Sequence, residues 1–217
     1  KRQVIGNAIS KENNLLKEIL RLEKKVVSGP EWLYQNILSN KKVIAVSGTH
    51  GKTTVTSMIA HTLINNNFDP NYLIAGIPKK LEKSWNISND EVFVIEADEY
   101  DTCYFDKRPK FFHYRPNILL INNIEFDHAD IYENIEMIEK NFFELIKTMP
   151  SKSKVLINEK KVSKSFRNKL KKEKFKTTLQ FLSLNTSNIH EENKLLAAHA
   201  IEDLISKEKV LNGLKDY

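Results

Sequence analysis

Val43-Ile44-Ala45-Val46-Ser47-Gly48-Thr49-His50-Gly51-Lys52-Thr53-Thr54 decides the fold. Four apolar residues run into a glycine turn, and Lys-Thr-Thr then opens an amphipathic segment. That is the order of a strand, a phosphate loop and a helix. Backbone N–H groups around Gly48 and Gly51 can wrap an anion, and the helix dipole favours negative charge at its N-terminus. Gly48, Thr49, His50, Gly51, Lys52, Thr53 and Thr54 are therefore candidate nucleotide-binding residues. Lys52 would reach the β/γ-phosphates, and the Thr53 hydroxyl would ligate magnesium. The general pattern Gly-x-x-x-x-Gly-Lys-Ser/Thr wants glycine where this chain has Val46, so the neighbouring segments have to complete the case.

Working outward, Val55, Met58, Ile59, Leu63 and Ile64 recur at helical spacing as far as Asn65-Asn66-Asn67. Tyr72–Ala75, Glu91–Ile95 and Asn117–Ile121 are short apolar runs that read as buried strands. Ile131, Ile135, Ile138, Phe142, Leu145 and Ile146 mark a long helix ending before Pro150. Val155–Ile157 and Leu179–Leu184 read as later strands. Continuously apolar strands alternating with helices predict an α/β fold, a mostly parallel sheet with helices on both faces. Before it, Asn14 to Val27 places Leu15, Leu16, Ile19, Leu20 and Leu22 on one face of an expected helix. Ser28-Gly29-Pro30 then punctuates, and a second helix covers Glu31 to Leu38. Residues 1–39 thus read as a short αα or αβ fragment, a helical remnant of a preceding domain, and 40–217 as the main domain.

In parallel sheets ligands bind beyond the carboxyl ends of the strands. Three strands here end in chemistry. One is the phosphate loop. The second runs into Glu96-Ala97-Asp98-Glu99-Tyr100-Asp101, where four carboxylates in six residues repel one another unless cations neutralise them. Glu96 sits where a second magnesium contact or a water-holding group is needed. The third runs into Asn122-Asn123-Ile124-Glu125-Phe126-Asp127-His128-Ala129-Asp130, where an imidazole between carboxylates is a candidate metal ligand. The candidate catalytic set is Lys52, Glu96 and His128, and the candidate metal set is Thr53, Glu96 and His128. His50 either donates to phosphate oxygens or fills its turn. Phe105 to Pro116 is either a cationic, aromatic substrate-recognition loop or a surface excursion capped by prolines.

Composition limits the alternatives. The chain has 217 residues, 41 % of them hydrophobic, enough to bury one core with a small appendage. It begins at Lys1, and a piece of a longer protein is the expectation. Net charge is +6 with both signs spread along the chain. The lysine-thick Ser151–Lys176 tract has only Phe166 and Phe175 as aromatic residues and reads as a solvated face, so no nucleic-acid partner is expected. Cys103, the single cysteine, excludes an internal disulfide. No apolar run approaches the roughly 20 residues of a membrane span, so neither a membrane partner nor a location outside the cytoplasm is expected.

Gly48-Thr49-His50-Gly51-Lys52-Thr53-Thr54, Glu96-Ala97-Asp98-Glu99 and Asn123 to Asp130 together closely resemble the Mur ligases. These are ATP-dependent amide-forming enzymes of peptidoglycan synthesis, and their shorter Gly-x-x-Gly-Lys-Thr loop accommodates Val46. The resemblance extends from about Gly6 to Pro150, including Gly6-Asn7-Ala8 and Ser28–Leu33. It implies ATP and magnesium as cofactors and adds Asn123 to the nucleotide-binding set. It also implies that residues 1–39 are the tail of a UDP-sugar-binding domain and 40–217 the central ATP-binding ligase domain, with its C-terminal part degenerate or truncated. The implied substrates are UDP-N-acetylmuramate and, from the acidic cluster and the Phe105–Pro116 insertion, the murein tripeptide L-alanyl-γ-D-glutamyl-meso-diaminopimelate, joined through an acyl phosphate in peptidoglycan recycling. L-Alanine is the alternative acceptor, and a nucleotide-binding module without ligase activity is the alternative class. Activity is expected to need flanking N- and C-terminal domains. Asn188-Ile189-His190-Glu191-Glu192-Asn193 departs from the family's Gly-x-His-Asn-x-x-Asn stretch, which leaves adenine contacts unassigned.

Overall fold

The computed structural model describes residues 2–126 and 134–217. The chain opens with β1 (Gln3–Ile5), α1 (Asn14–Arg21), β2 (Val26–Ser28) and α2 (Gly29–Asn36). β1 and β2 pair in parallel, Val4 opposite Val27. The Asn13 side chain caps α1 by accepting from the Leu16 amide, and Ser28 caps α2 by accepting from Glu31. Here the expected single helix from Asn14 to Val27 is corrected. It stops at Arg21, Glu23 takes a left-handed φ of 52°, and the β-branched Val26-Val27 pair joins a sheet instead. Residues 3–36 therefore form a βαβα unit. Only Leu16 of the anticipated apolar face is buried; Leu15, Leu20 and Leu22 are exposed.

The main sheet follows. Its first part comprises β3 (Lys42–Ser47), α3 (Lys52–Asn65), β4 (Asn71–Leu73), β5 (Trp85–Asn86) and β6 (Val92–Glu96). A hairpin of β7 (Asp101–Cys103) and β8 (Asp106–Pro109) leads through the short α4 (Phe111–Tyr114) to β9 (Ile118–Ile121). The chain then continues through α5 (Ile135–Thr148), β10 (Lys154–Asn158), α6 (Lys164–Lys172), β11 (Thr178–Leu182), α7 (Ile189–Ile201) and α8 (Lys207–Leu214). The sheet order is β11-β10-β9-β3-β6-β4-β5. Every pairing is parallel except that of the two-residue edge strand β5 with β4.

Alternation along β3 shows why the sheet is covered on both sides. Val43 and Ala45 enter one core with Phe111, Phe142, Ile146, Phe166 and Leu170, from α4, α5 and α6. Ile44 and Val46 enter the other with Val55, Met58, Leu63, Leu196, Ala200 and Val210, from α3, α7 and α8. Burying each such side chain contributes about 1.5–3 kcal/mol, which is why β3 is apolar at every position from Val43 to Val46. The lysine-rich tract behaves as read. In α6 Phe166 and Leu170 point inward, while Lys164, Lys169, Lys171 and Lys172 face solvent.

Phe105–Pro116 is a different matter. Phe111 is fully buried, and His113 and Tyr114 nearly so. The segment is thus a hairpin and helical turn anchored in the core, not a surface excursion, with Lys107 and Arg108 left outside.

Candidate active site

The carboxyl ends of three adjacent strands, β6, β3 and β9, form the site. At the end of β3 the loop reverses through Gly48, with φ of 134°, and Gly51, with φ of 80°. Both glycines are required twice over. Their backbone angles are ones that side chains rarely adopt. A Cβ on Gly48 would also sit 2.9 Å from the backbone N and O of Asn123, and one on Gly51 would sit 2.6 Å from Nδ2 of Asn122. The loop is bolted to β9 by those two asparagines. The His50 amide donates to Asn123 Oδ1 at 2.7 Å, and the Thr49 amide donates to the Asn123 carbonyl at 3.1 Å. The His50 carbonyl accepts from Asn122 and from Asn123, each at 3.0 Å. Asn122 reaches onward to Oδ1 of the buried Asn193 in α7, at 3.4 Å. The His50 ring itself is exposed, 3.8 Å from Glu125.

Lys52 opens α3 and is buried. Its ammonium donates to the Gly48 carbonyl at 2.7 Å and to Glu99 Oε2 at 3.3 Å. Asp98 Oδ1 lies 3.8 Å away. The other oxygen of Asp98 is 3.5 Å from the ammonium of Lys110, and Lys107 pairs with Asp101 at 2.9 Å. Three of the four clustered carboxylates therefore each have a lysine ammonium within 4 Å.

Glu96 is the fourth, and it faces elsewhere. Both of its oxygens accept from the Thr53 hydroxyl, at 3.1 and 3.0 Å, and Oε2 also accepts from the Ala75 amide at 3.0 Å. Burial pushes its carboxyl above the ordinary range. The Ala75 amide opposes that shift, the Asp98 charge adds to it, and Thr53 and Lys52 oppose it. Among the described residues no group of three or more His, Cys, Asp or Glu side chains could hold a metal. Magnesium does not need one. It keeps several waters and takes one or two protein oxygens together with phosphate oxygens. A hydroxyl and a carboxylate, side by side at the start of a phosphate-loop helix, fit that demand.

Of the sequence-predicted residues, Gly48, Thr49, His50, Gly51, Lys52, Thr53, Thr54, Glu96 and Asn123 come together at this one edge. Thr54 lines an adjoining cavity of about 160 Å³ with Ser57, Lys79, Lys80 and His190. His128, with Asp127 and Asp130, lies outside the described residues. Three residues had no site role from sequence reasoning. Asn122 opens the polar stretch after the third strand, and Asn193 ends the degenerate motif. Gly76 closes the apolar Tyr72–Ala75 run, but nothing local signals that a Cβ there would meet Thr53 Cγ2 at 2.7 Å and Oγ1 at 2.9 Å.

The Mur ligase middle domain matches residues 46–206 of the chain. The UDP-N-acetylmuramate–L-alanyl-gamma-D-glutamyl-meso-2,6-diaminoheptandioate ligase of Haemophilus influenzae is 44 % identical over 153 residues, covering 70 % of this chain and 34 % of that protein. The UDP-N-acetylmuramate–L-alanine ligase of Caldicellulosiruptor bescii is 34 % identical over 151 residues, covering 70 % and 32 %. A crystal structure of UDP-N-acetylmuramate:L-alanyl-gamma-D-glutamyl-meso-diaminopimelate ligase from Neisseria meningitides superposes with a TM-score of 0.89 at 31 % identity. That match covers 100 % of this chain and 78 % of that one. The chain spans about a third of the length of the curated relatives it matches.

Proposed function

Because the chain belongs to the Mur ligase family, through its middle domain, we propose that it is the ATP-binding part of a ligase that joins UDP-N-acetylmuramate to L-alanyl-γ-D-glutamyl-meso-diaminopimelate. The observation that carries this reading is the corner made by Lys52, Thr53 and Glu96 at the end of the phosphate loop. The tripeptide-ligase relatives, 41–44 % identical over 153 residues against 34–39 % over 132–155 residues for the L-alanine ligases, favour the tripeptide as acceptor. On the same reading residues 1–39 are the tail of a UDP-sugar-binding domain, 40–217 are the central domain, and turnover needs flanking domains. The reaction, part of peptidoglycan recycling, is placed in the cytoplasm, where ATP is available. No helix of the described residues is long and apolar enough to cross a membrane.

In such a ligation a carboxylate oxygen of the sugar attacks the γ-phosphorus of ATP and ADP leaves. The amine then displaces phosphate from the acyl phosphate. The chain's part is positioning and charge stabilisation. The amides of Gly51, Lys52 and Thr53, at the N-terminus of α3, would hold phosphate oxygens, since those of Thr49 and His50 are taken by Asn123. Lys52 exchanges Glu99 and the Gly48 carbonyl for phosphate oxygens as negative charge shifts toward the leaving ADP. Thr53 and Glu96 would hold magnesium, which supplies Lewis-acid neutralisation of the phosphates. Glu96 must be ionised to do so, and its Thr53 and Ala75 hydrogen bonds favour that form. His128 is assigned a second metal on sequence grounds alone.

The test is phosphate release from ATP by the full-length protein with UDP-N-acetylmuramate, offering tripeptide and L-alanine in separate reactions. Release dependent on the tripeptide is the expected result. Release with L-alanine alone would favour the other acceptor. ATP binding with no release in either reaction would leave a nucleotide-binding module.

A further inference from the structure

Four charges form a chain through the site: Glu99, Lys52, Asp98 and Lys110. Glu99 is 3.3 Å from Lys52, Lys52 is 3.8 Å from Asp98, and Asp98 is 3.5 Å from Lys110. The four side chains are 3, 10, 15 and 21 % exposed in that order, so solvent screens these contacts only in part. Lys110 is not a loose surface lysine. Its amide donates to the Tyr100 carbonyl at 3.0 Å, and its ammonium lies 5.9 Å over the Tyr100 ring. It also immediately precedes Phe111, whose ring is fully buried. The hairpin of β7 and β8 thus delivers a fixed cation to the far side of the carboxylate that faces the phosphate-loop lysine.

We propose that Lys110 is a positioning residue for Lys52, acting through Asp98. The inference rests on the reading above, that Lys52 serves nucleotide phosphates. To reach a phosphate, Lys52 must turn from Glu99 and Asp98, leaving partly buried carboxylates behind, and an uncompensated buried charge is costly. Lys110 remains with Asp98 after Lys52 departs. It therefore lowers the cost of that departure and weakens the pull of Asp98 on Lys52 beforehand. This gives the Phe105–Pro116 insertion a part in nucleotide engagement.

A direct Coulombic attraction between Lys110 and the triphosphate would have the same sign, so the deciding experiment is a double-mutant cycle. ATP affinity is measured by titration calorimetry on the full-length protein for wild type, Lys110→Ala, Asp98→Asn and the double variant. Lys110→Ala is expected to weaken ATP roughly fivefold or more, from the coupling typical of neighbouring charges. In the Asp98→Asn background the same change should shift affinity by less than about twofold. Lys110→Arg should stay near wild type. If Lys110→Ala does not fold, Lys110→Gln, which keeps most of the stem, takes its place in the cycle. Equal weakening in both backgrounds, or none in the wild-type background, overturns the proposal. Lys52→Ala is titrated alongside. If it binds ATP as tightly as wild type, the phosphate-loop reading itself fails. If it loses ATP while the cycle is additive, only the role of Lys110 fails.

Discussion

Gly76→Ala would add a single methyl group to the turn after β4, and it separates the metal corner from the loop. The new Cβ would lie 2.7 Å from Thr53 Cγ2 and 2.9 Å from Oγ1, inside the 3.4 Å at which ordinary contact begins. Thr53 cannot absorb this by a small tilt, because a β-branched side chain in the first turn of a helix has few rotamers. Its hydroxyl must rotate off Glu96, breaking a contact now made at 3.0–3.1 Å to both oxygens. A hydrogen bond to a charged group is worth about 1.5–3 kcal/mol. The magnesium concentration for half-maximal phosphate release should therefore rise roughly tenfold or more. Fold stability should fall by about 1–2 kcal/mol, because the lost hydrogen bond outweighs the roughly 0.4–1 kcal/mol that alanine contributes by restricting the unfolded chain at a residue without positive φ. The assay is a magnesium titration of phosphate release by the full-length protein, with a thermal melt as control. A half-saturation point within twofold of wild type would refute the reasoning. So would ATP binding in EDTA that is lost to the same degree, because the damage would then lie in the loop.

Three further outcomes follow from the same geometry. Lys52→Ala should abolish ATP-dependent ligation in the full-length protein, and retention of more than about five per cent of turnover would sink the phosphate-loop assignment. Glu96→Gln should lose magnesium-dependent turnover by about a hundredfold or more, yet melt higher than metal-free wild type at pH 7. Its folded carboxyl is raised above the ordinary 4.5, so its stabilising contribution is complete below that pH and is lost as pH rises through the folded value. The melting gap should close as the pH is lowered toward 4.5, and a variant no more stable at pH 7 would contradict the sign. His128→Ala should raise the magnesium requirement of phosphate release several-fold by analogy with other metal-ligand losses, and an unchanged titration would count against its ligand role.

Much of this was legible from residues alone, for a definite reason. Strands buried on both faces must be continuously apolar, so Val43–Val46, Val92–Ile95 and Ile118–Ile121 announced themselves, and each ended where polarity returned. What stayed hidden depends on partners distant in sequence. Val26 and Val27 read as the tail of a helix until β1 supplies a partner. The Asn122–Asn193 contact spans 71 positions, and the crowding of Gly76 on Thr53 involves no motif. The acidic cluster reads from sequence as needing cations. Spacing could not say that lysines would serve three of its members and leave Glu96 to the Thr53 hydroxyl, because that assignment is made by the hairpin and by α3 together.

The two asparagines that clasp His50 from β9 bear on how a nucleotide would arrive. Fixing one residue's backbone costs about 1–2 kcal/mol in entropy. For the turn from Gly48 to Gly51 that cost is met when the chain folds, by hydrogen bonds to Asn122 and Asn123 rather than by the incoming phosphates. Association should then be a docking event with a fast on-rate and a small heat-capacity change. The backbone amides of Thr49 and His50 should already resist hydrogen exchange before any ligand is added.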